Sequence, residues 1–388
     1  MKHFSHLNSA VAIIEAYKGG QPFHLFIKDF FKQHKKYGSR DRKQITHLCY
    51  CYFRLGLAAK EKKIADAIIE ALFLCSTTGN DLLDALDPVL NAKASLTIDE
   101  KFAFLNIIPT ALKIFPYVEA LSDEIDANAF NLSHLMQPDV FIRIRPGHQH
   151  KVIDKLNKAS VDFKNIDNNC IALSPSTKIQ DLLQLNKEAV IQDYSSQQTG
   201  NFMQMISDSH RPISVWDCCA ASGGKSIVAK DILGEIALTV SDIRPVILEN
   251  LKKRLEEAGI KNFKTIQADL AQPLKTNLPS FDFIIADVPC SGSGTWGRTP
   301  EQLSYFQEQS IEAFHQLQQK IVQTVISKLK PGGHFLYITC SVFKKENEIM
   351  ADFISTQLKL RLLKKQVLKG YDQHADTMFV ALFKKQEA

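Results

Sequence analysis

From about residue 200 onward the chain alternates short apolar runs with amphipathic stretches, and each run ends on a side chain that can do chemistry. Val215-Trp216 leads to Asp217 and a glycine-containing turn, followed by a helical stretch from Lys225 to Leu233. Ile236 to Val240 ends in Ser241-Asp242, and a helix from about Val246 to Ala258 closes on Gly259. Phe263 to Ile266 ends in Gln267-Ala268-Asp269, and Phe281 to Ala286 ends in Asp287. A long helix is predicted over about Ser304 to Leu329, after which Pro331-Gly332-Gly333 turns the chain into His334 to Thr339, which ends on Cys340. Strands alternating with helices of this length require crossover connections. The predicted fold class is therefore α/β, with a doubly wound parallel sheet.

The preceding residues read differently. Residues 1–130 are expected to be all helical: Ala10, Val11, Ile13, Ile14 and Tyr17 recur at helical spacing, as do Ile45, Leu48, Cys49, Tyr52 and Phe53. Residues 131–200 are expected to form a small α+β segment, with a strand at Asp139–Arg145, a helix at Val152–Ala159, and apolar runs Cys170–Leu173 and Ala189–Ile191. Residues 201–388 complete the α/β domain. No apolar run nears the roughly 20 residues of a membrane span, and Met1-Lys2-His3-Phe4 does not open a signal peptide. A cytoplasmic protein is expected. The net charge of +5 permits a polyanionic partner without requiring one.

Function is read at the strand ends, because open α/β sheets bind ligands in the crevice outside the carboxyl ends of their strands. Asp217, Asp242, Asp269 and Asp287 would all face that crevice. Gly223 and Gly224 let the backbone approach a ligand ahead of a helix N-terminus. The turn is neither GxGxxG nor the phosphate loop GxxxxGK[ST]. The strand-end acids suit a nucleoside-bearing ligand, with Asp242 placed for ribose hydroxyls.

Of the eight cysteines, none falls in a paired CxxC set, so no metal is expected. Two stand apart. Cys290 lies in Asp287-Val288-Pro289-Cys290-Ser291-Gly292, and Cys340 in Thr339-Cys340-Ser341, each just past a strand end. If the fourth and fifth strands are neighbours, both thiols share one cleft. Such a cleft suits chemistry on C5 of cytosine, a poor nucleophile until a thiolate adds to C6 and makes C5 enamine-like, able to attack a sulfonium methyl. Lys225, Lys344 and Lys345 are candidate cations to favour the thiolate. Asp287 is a candidate to hold the N3/N4 edge of the base. Position alone does not say which thiol attacks.

Taken together these segments resemble the RsmB/Sun family of RNA cytosine-C5 methyltransferases. Cys219-Ala220-Ala221-Ser222-Gly223-Gly224-Lys225 is similar to its CAAPGGK cofactor loop, Asp287 to Gly292 to its DAPCSG motif, and Thr339-Cys340-Ser341 with Glu346-Asn347-Glu348 to its TCS…ENE motif. Gln192-Asp193-Tyr194-Ser195-Ser196-Gln197 resembles the segment that precedes the catalytic domain. The N-terminal helices, through Gly38-Ser39-Arg40-Asp41-Arg42, are similar to the NusB-like domain of the bacterial RsmB branch.

The resemblance implies a Rossmann-like methyltransferase domain at 201–388, an RNA-recognition subdomain at 131–200 and a NusB-like RNA-binding domain at 1–130. It implies S-adenosyl-L-methionine as cofactor, held by Cys219 to Lys225, Asp242, Asp269 and Asp287. The implied substrate is a cytosine in RNA of the small ribosomal subunit. In the family the TC cysteine, here Cys340, is the nucleophile, and the PC cysteine, here Cys290, assists product release; Asp287 and Lys225 complete the expected catalytic set. Arg40, Arg42, Arg143 and Arg145 are the expected RNA contacts, and a monomer is expected. Three departures stand out: Ser222 replaces a proline, Ile247 stands where many members carry arginine with Arg244 nearby, and Arg145 replaces the asparagine of an RxN strand. A non-catalytic RNA-binding assembly factor would not need both cysteines. An amino-methyltransferase would carry an aromatic where Cys290 follows Pro289.

Overall fold

The computed structural model describes residues 2–206, 212–274 and 278–387. They fall into two compact units. One holds the residues up to Glu119 together with Asp126–Gln137 and Thr295–Glu308; the other holds Ala120–Ile125, Pro138–Gly294 and everything from Gln309.

The first unit is helical. Its principal helices are Lys2–Ala16, Phe23–Gln33, Ser39–Arg54 and Ile64–Cys75. Tyr17, Phe23 and Phe53 interlock edge to face at its centre, with ring centroids 4.8–5.8 Å apart, a geometry that adds to the apolar burial of each ring. The buried Arg54 donates to the carbonyls of His134 and Met136, which satisfies a charge that would otherwise be costly to bury. Residues 295–308 complete this unit: Trp296 packs against Phe115 and Phe306, and the backbone N–H of Phe23 donates to the Glu301 carboxylate.

The second unit carries two sheets. In the smaller, β1 (Val140–Ile144), β2 (Phe163–Asn165), β3 (Cys170–Leu173) and β4 (Ala189–Ile191) pair antiparallel in the order β2-β3-β1-β4. The helix Gln149–Lys158 packs Val152 and Leu156 into the core of that sheet.

The larger sheet contains β5 (Ile213–Asp217), β6 (Ile236–Asp242), β7 (Phe263–Gln267), β8 (Phe281–Asp287), β9 (Leu329–Thr339), β10 (Arg361–Leu368) and β11 (Met378–Lys384). Their order is β10-β11-β9-β8-β5-β6-β7; β5 to β9 are parallel, and β10 and β11 run antiparallel at one edge. This is the doubly wound α/β fold, with an antiparallel edge added to it. β8 is buried on both faces, hence its unbroken run Phe283-Ile284-Ile285-Ala286. Because β5 lies between β6 and β8, the strand order reverses beside it, and the crevice for a ligand opens at its carboxyl end. Asp287 pairs in register with Ile338, so the fourth and fifth strands of this domain are neighbours and deliver Cys290 and Cys340 side by side.

One helix differs from expectation. The stretch read as continuous from Ser304 to Leu329 is two helices, Gln302–Tyr305 and Gln309–Ile326. Phe306 between them is extended and packs on Trp296 in the helical unit, so tertiary packing overrides the local helical pattern.

Candidate active site

The site is built on the carboxyl ends of β5, β6, β8 and β9. The turn after β5 is held by backbone bonds from Cys218 N to Ile285 O (2.9 Å), Ala220 N to Ser241 O (2.9 Å) and Gly223 N to Ala220 O (2.7 Å). Gly223 has φ +81°, and a Cβ there would stand 2.3 Å from Leu251; only glycine fits both the conformation and the space. Ser222, where the family carries proline, accepts from Arg254 through its carbonyl and hydroxyl at 3.0 and 2.7 Å.

A cavity of about 500 Å³ opens beyond this turn. Cys218, Cys219, Ala221, Asp242, Asp269, Asp287, Cys290 and Cys340 line it, together with an apolar wall that includes Leu270, Val288, Leu317 and Ile321. Of the expected cofactor residues, Ala220, Ser222, Gly223 and Gly224 shape the turn and do not line the cavity. Lys225 reaches Asp287 at 2.9 Å and Ser196 at 2.8 Å. It is thus the ion-pair partner of Asp287, and it connects the segment before the domain to the site. Lys344 and Lys345, the other candidate cations, pair with Asp123 and Glu312.

Asp242 is buried, yet burial does not neutralise it. Burial alone would raise its carboxyl; Arg244, through its guanidinium and its backbone N–H, and the N–H of Ala221 together bring it below the ordinary value. Arg244 grips both oxygens, Nε to Oδ1 at 3.0 Å and Nη2 to Oδ2 at 3.1 Å. Asp269 stands exposed at the rim and caps Ala271 N. Asp217 lies deeper: burial raises its carboxyl to about 7 against a bond from Ser226. Its Oδ1 is buried without a hydrogen-bond partner.

The Cys290 and Cys340 sulfurs are 3.2 Å apart. The two thiols share a hydrogen bond that either sulfur can donate; that bond, desolvation and the nearby Glu346 carboxylate hold the Cys290 proton on, well above the ordinary cysteine range.

The expected RNA contacts divide. Arg40 is exposed, with Asp81 3.8 Å away. Arg42 donates to Tyr37 O and lies over the Phe31 ring. Arg143 and Arg145 are engaged within the protein. Arg143 bonds Gln192 and Asp231, and Arg145 bonds Asp231, Asn186 O and Ala258 O. Both side chains are largely buried and fasten the small sheet to the helix Gly224–Leu233. Sequence reasoning had no signal for this, because Asp231 reads as an ordinary surface acid.

Among the described residues, no cluster of His, Cys, Asp and Glu could hold a metal ion, and no helix is long and apolar enough to cross a membrane.

Residues 203–386 match the family model described as 16S rRNA methyltransferase RsmB/F. A ribosomal RNA small subunit methyltransferase B from Xanthomonas campestris pv. campestris is 30% identical over 160 residues, 41% of this chain and 36% of that protein. The match thus spans little more than a third of that relative. Of solved structures, that of PH0851 gives a TM-score of 0.68 at 19% identity, covering 99% of this chain and 98% of that one. NSun6 from Pyrococcus horikoshii, solved with SFG, gives 0.59 at 15% identity, covering 70% and 97%. At those identities both likenesses speak for the fold.

Proposed function

We propose that this chain, whose residues 203–386 form a domain of the RsmB/F methyltransferase family, transfers a methyl group from S-adenosyl-L-methionine to C5 of a cytosine in RNA, with RNA of the small ribosomal subunit as substrate. The observation that carries the reading is the pair of sulfurs 3.2 Å apart on neighbouring strand ends, facing the cavity that Asp242 also lines.

The cavity fits the cofactor. Asp242 offers an ionised carboxylate to ribose hydroxyls, and the apolar wall suits a planar base. When bound, S-adenosylmethionine supplies an electrophilic methyl. The target base must leave its stack to reach such a cleft.

The chain's own residues do the rest. The Cys340 sulfur forms a bond to C6, which places the electron pair of the C5–C6 double bond at C5. Asp287, its charge balanced by Lys225, holds the polar edge of the base. After methylation at C5, solvent takes the C5 proton, the C–H bonding pair re-forms the C5–C6 double bond, and the Sγ–C6 bond breaks with its pair on sulfur, so Cys340 departs as thiolate. Cys290 stands against that sulfur to assist the release. Arg40 and Arg42 remain the candidates for phosphate contact, which would make binding weaken with salt.

The test uses purified protein, methyl donor and small-subunit ribosomal RNA. Cys340→Ala is expected to lose activity and form no adduct. Cys290→Ala is expected to accumulate a slowly migrating protein–RNA species on a denaturing gel that nuclease removes. An adduct in Cys340→Ala alone would reverse the roles; two active variants with no adduct would end the covalent reading.

A further inference from the structure

Glu346 is fully buried between the loops that carry the two cysteines. Its Oε1 accepts from the backbone N–H of Ser291 at 2.9 Å and from Gln318 Nε2 at 3.0 Å. Its Oε2 accepts from the hydroxyls of Ser291 and Ser341. Ser291 follows Cys290 and Ser341 follows Cys340, so one carboxylate is bonded to the next residue after each thiol. Gln318, on the helix Gln309–Ile326, also donates to the carbonyl of Pro289, which precedes Cys290. Tyr337 donates to the Glu346 carbonyl at 2.8 Å, so the backbone of Glu346 is itself held to β9.

We propose that Glu346 is the positioning residue that sets the spacing of the two thiols; the role rests on the covalent reading above, though the spacing itself does not. Burying a carboxylate is costly unless it is well bonded. Here burial raises the Glu346 carboxyl, opposed by its bonds from Ser291, Ser341 and Gln318. Four donors, from two loops and a helix, converge on this one buried group and make a strut that acts beside the direct Ser291–Ser341 and Gly294–Cys340 bonds between the loops. Nothing else bonds the side chains of Ser291 and Ser341 to a common charged group in the described structure.

The bonding pattern also says which substitution conserves the strut. In Glu346→Gln the amide oxygen replaces Oε1, where both partners are N–H donors. The amide nitrogen replaces Oε2, where both partners are hydroxyls that can turn to accept. The glutamine is therefore fully bonded without charge. Glu346→Ala removes the strut.

Spacing is read directly with diamide, which takes two hydrogens from a thiol pair and leaves a disulfide. Mass spectrometry of the Cys290–Cys340 peptide pair gives the rate, and methyl transfer to ribosomal RNA is measured in parallel. Wild type and Glu346→Gln are expected to cross-link at rates within about threefold of each other. Glu346→Ala is expected to be slower by about tenfold or more, as loss of charge-assisted hydrogen bonds of roughly 1.5–3 kcal/mol implies. Methylation is expected in the same order. If Glu346→Ala does not fold, Ser341→Ala, which severs the strut on the Cys340 side alone, is expected to slow cross-linking as well. Equal cross-linking in wild type and the alanine variants would overturn the proposal, as would a glutamine variant as slow as alanine. A wild type that cross-links readily yet methylates no RNA would sink the function proposed above and leave the positioning role standing.

Discussion

Asp242 and Arg244 show how a single charged pair tunes the cofactor pocket. A carboxylate held below its ordinary value binds hydroxyls throughout the neutral range and loses that capacity only as pH falls through its lowered value. Arg244 supplies most of that depression, against burial, which works the other way. Asp242→Asn is expected to weaken cofactor binding by about 1–3 kcal/mol, the cost of disturbing a buried hydrogen-bonded group. Arg244→Ala leaves Asp242 with the backbone N–H groups of residue 244 and Ala221 and with its burial, but without the guanidinium, so its carboxyl should rise. Calorimetric titration from about pH 7.5 to about pH 5 should then show affinity failing at higher pH in Arg244→Ala than in wild type. Superimposable pH profiles would remove Arg244 from the pocket's electrostatics. At this scale much was legible in the sequence. Strand ends face one crevice by topology, so Asp242, Asp287, Cys290 and Cys340 were placed together from the chain alone. The fates of Arg143 and Arg145 were not, because a charge reads the same whether it meets phosphate or a partner such as Asp231, which lies 86 residues beyond Arg145.

At the scale of elements, the loop after β8 depends on close backbone contact with the antiparallel edge of the sheet. Gly294 N donates to Cys340 O at 3.0 Å, and Thr377 N donates to Gly294 O at 2.9 Å. A Cβ at Gly294 would stand 1.9 Å from the Thr377 carbonyl oxygen. That oxygen belongs to the backbone leading into β11, so it cannot rotate aside. Gly294→Ala is expected to cost about 1–3 kcal/mol or more by overpacking and to move the Cys290 loop away from Cys340. A lowered melting temperature together with slowed diamide cross-linking checks both. A variant with wild-type values in both measurements would show that the loop yields freely. The motif from Asp287 to Gly292 that leads into this contact was visible in the sequence; the contact at Gly294 was not, because β10 and β11 went unread. Their residues, such as Arg361-Leu362-Leu363-Lys364-Lys365, lack the clean alternation that marks a half-buried strand. The chain between Ser304 and Leu329 misled for the opposite reason: its local pattern is helical, and only packing of Phe306 on Trp296 breaks it.

Over the whole molecule, the chain is interleaved. Residues 120–125 leave the helical stretch and belong to the sheet-bearing unit, where Leu121 bridges Phe343 and Ser122 bonds Asn347 and Glu348. Residues 295–308 leave the sheet-bearing stretch immediately after the Cys290 loop and complete the helical unit with Trp296 and Phe306. Each unit therefore takes part of its core or its polar network from chain that runs on into the other. Independent unfolding would strand Trp296 and Phe306 in one direction, and Ser122 in the other. Fully burying a large aromatic is worth several kcal/mol, since truncating one to alanine costs about 3–5. The two units should accordingly unfold together. The chain provides its own reporters, for its two tryptophans fall one in each unit: Trp296 in the helical one and Trp216, on β5, in the other. With Trp216→Phe, urea unfolding is seen through Trp296 alone; with Trp296→Phe, through Trp216 alone. Coincident transitions, after correction for the small stability change each substitution brings, are the outcome expected of one cooperative system. Two separated midpoints would mean that the exchanged segments are held too weakly to couple the units. The placement of 295–308 would then be a matter of packing alone, with no consequence for the stability of the Cys290 loop that precedes it.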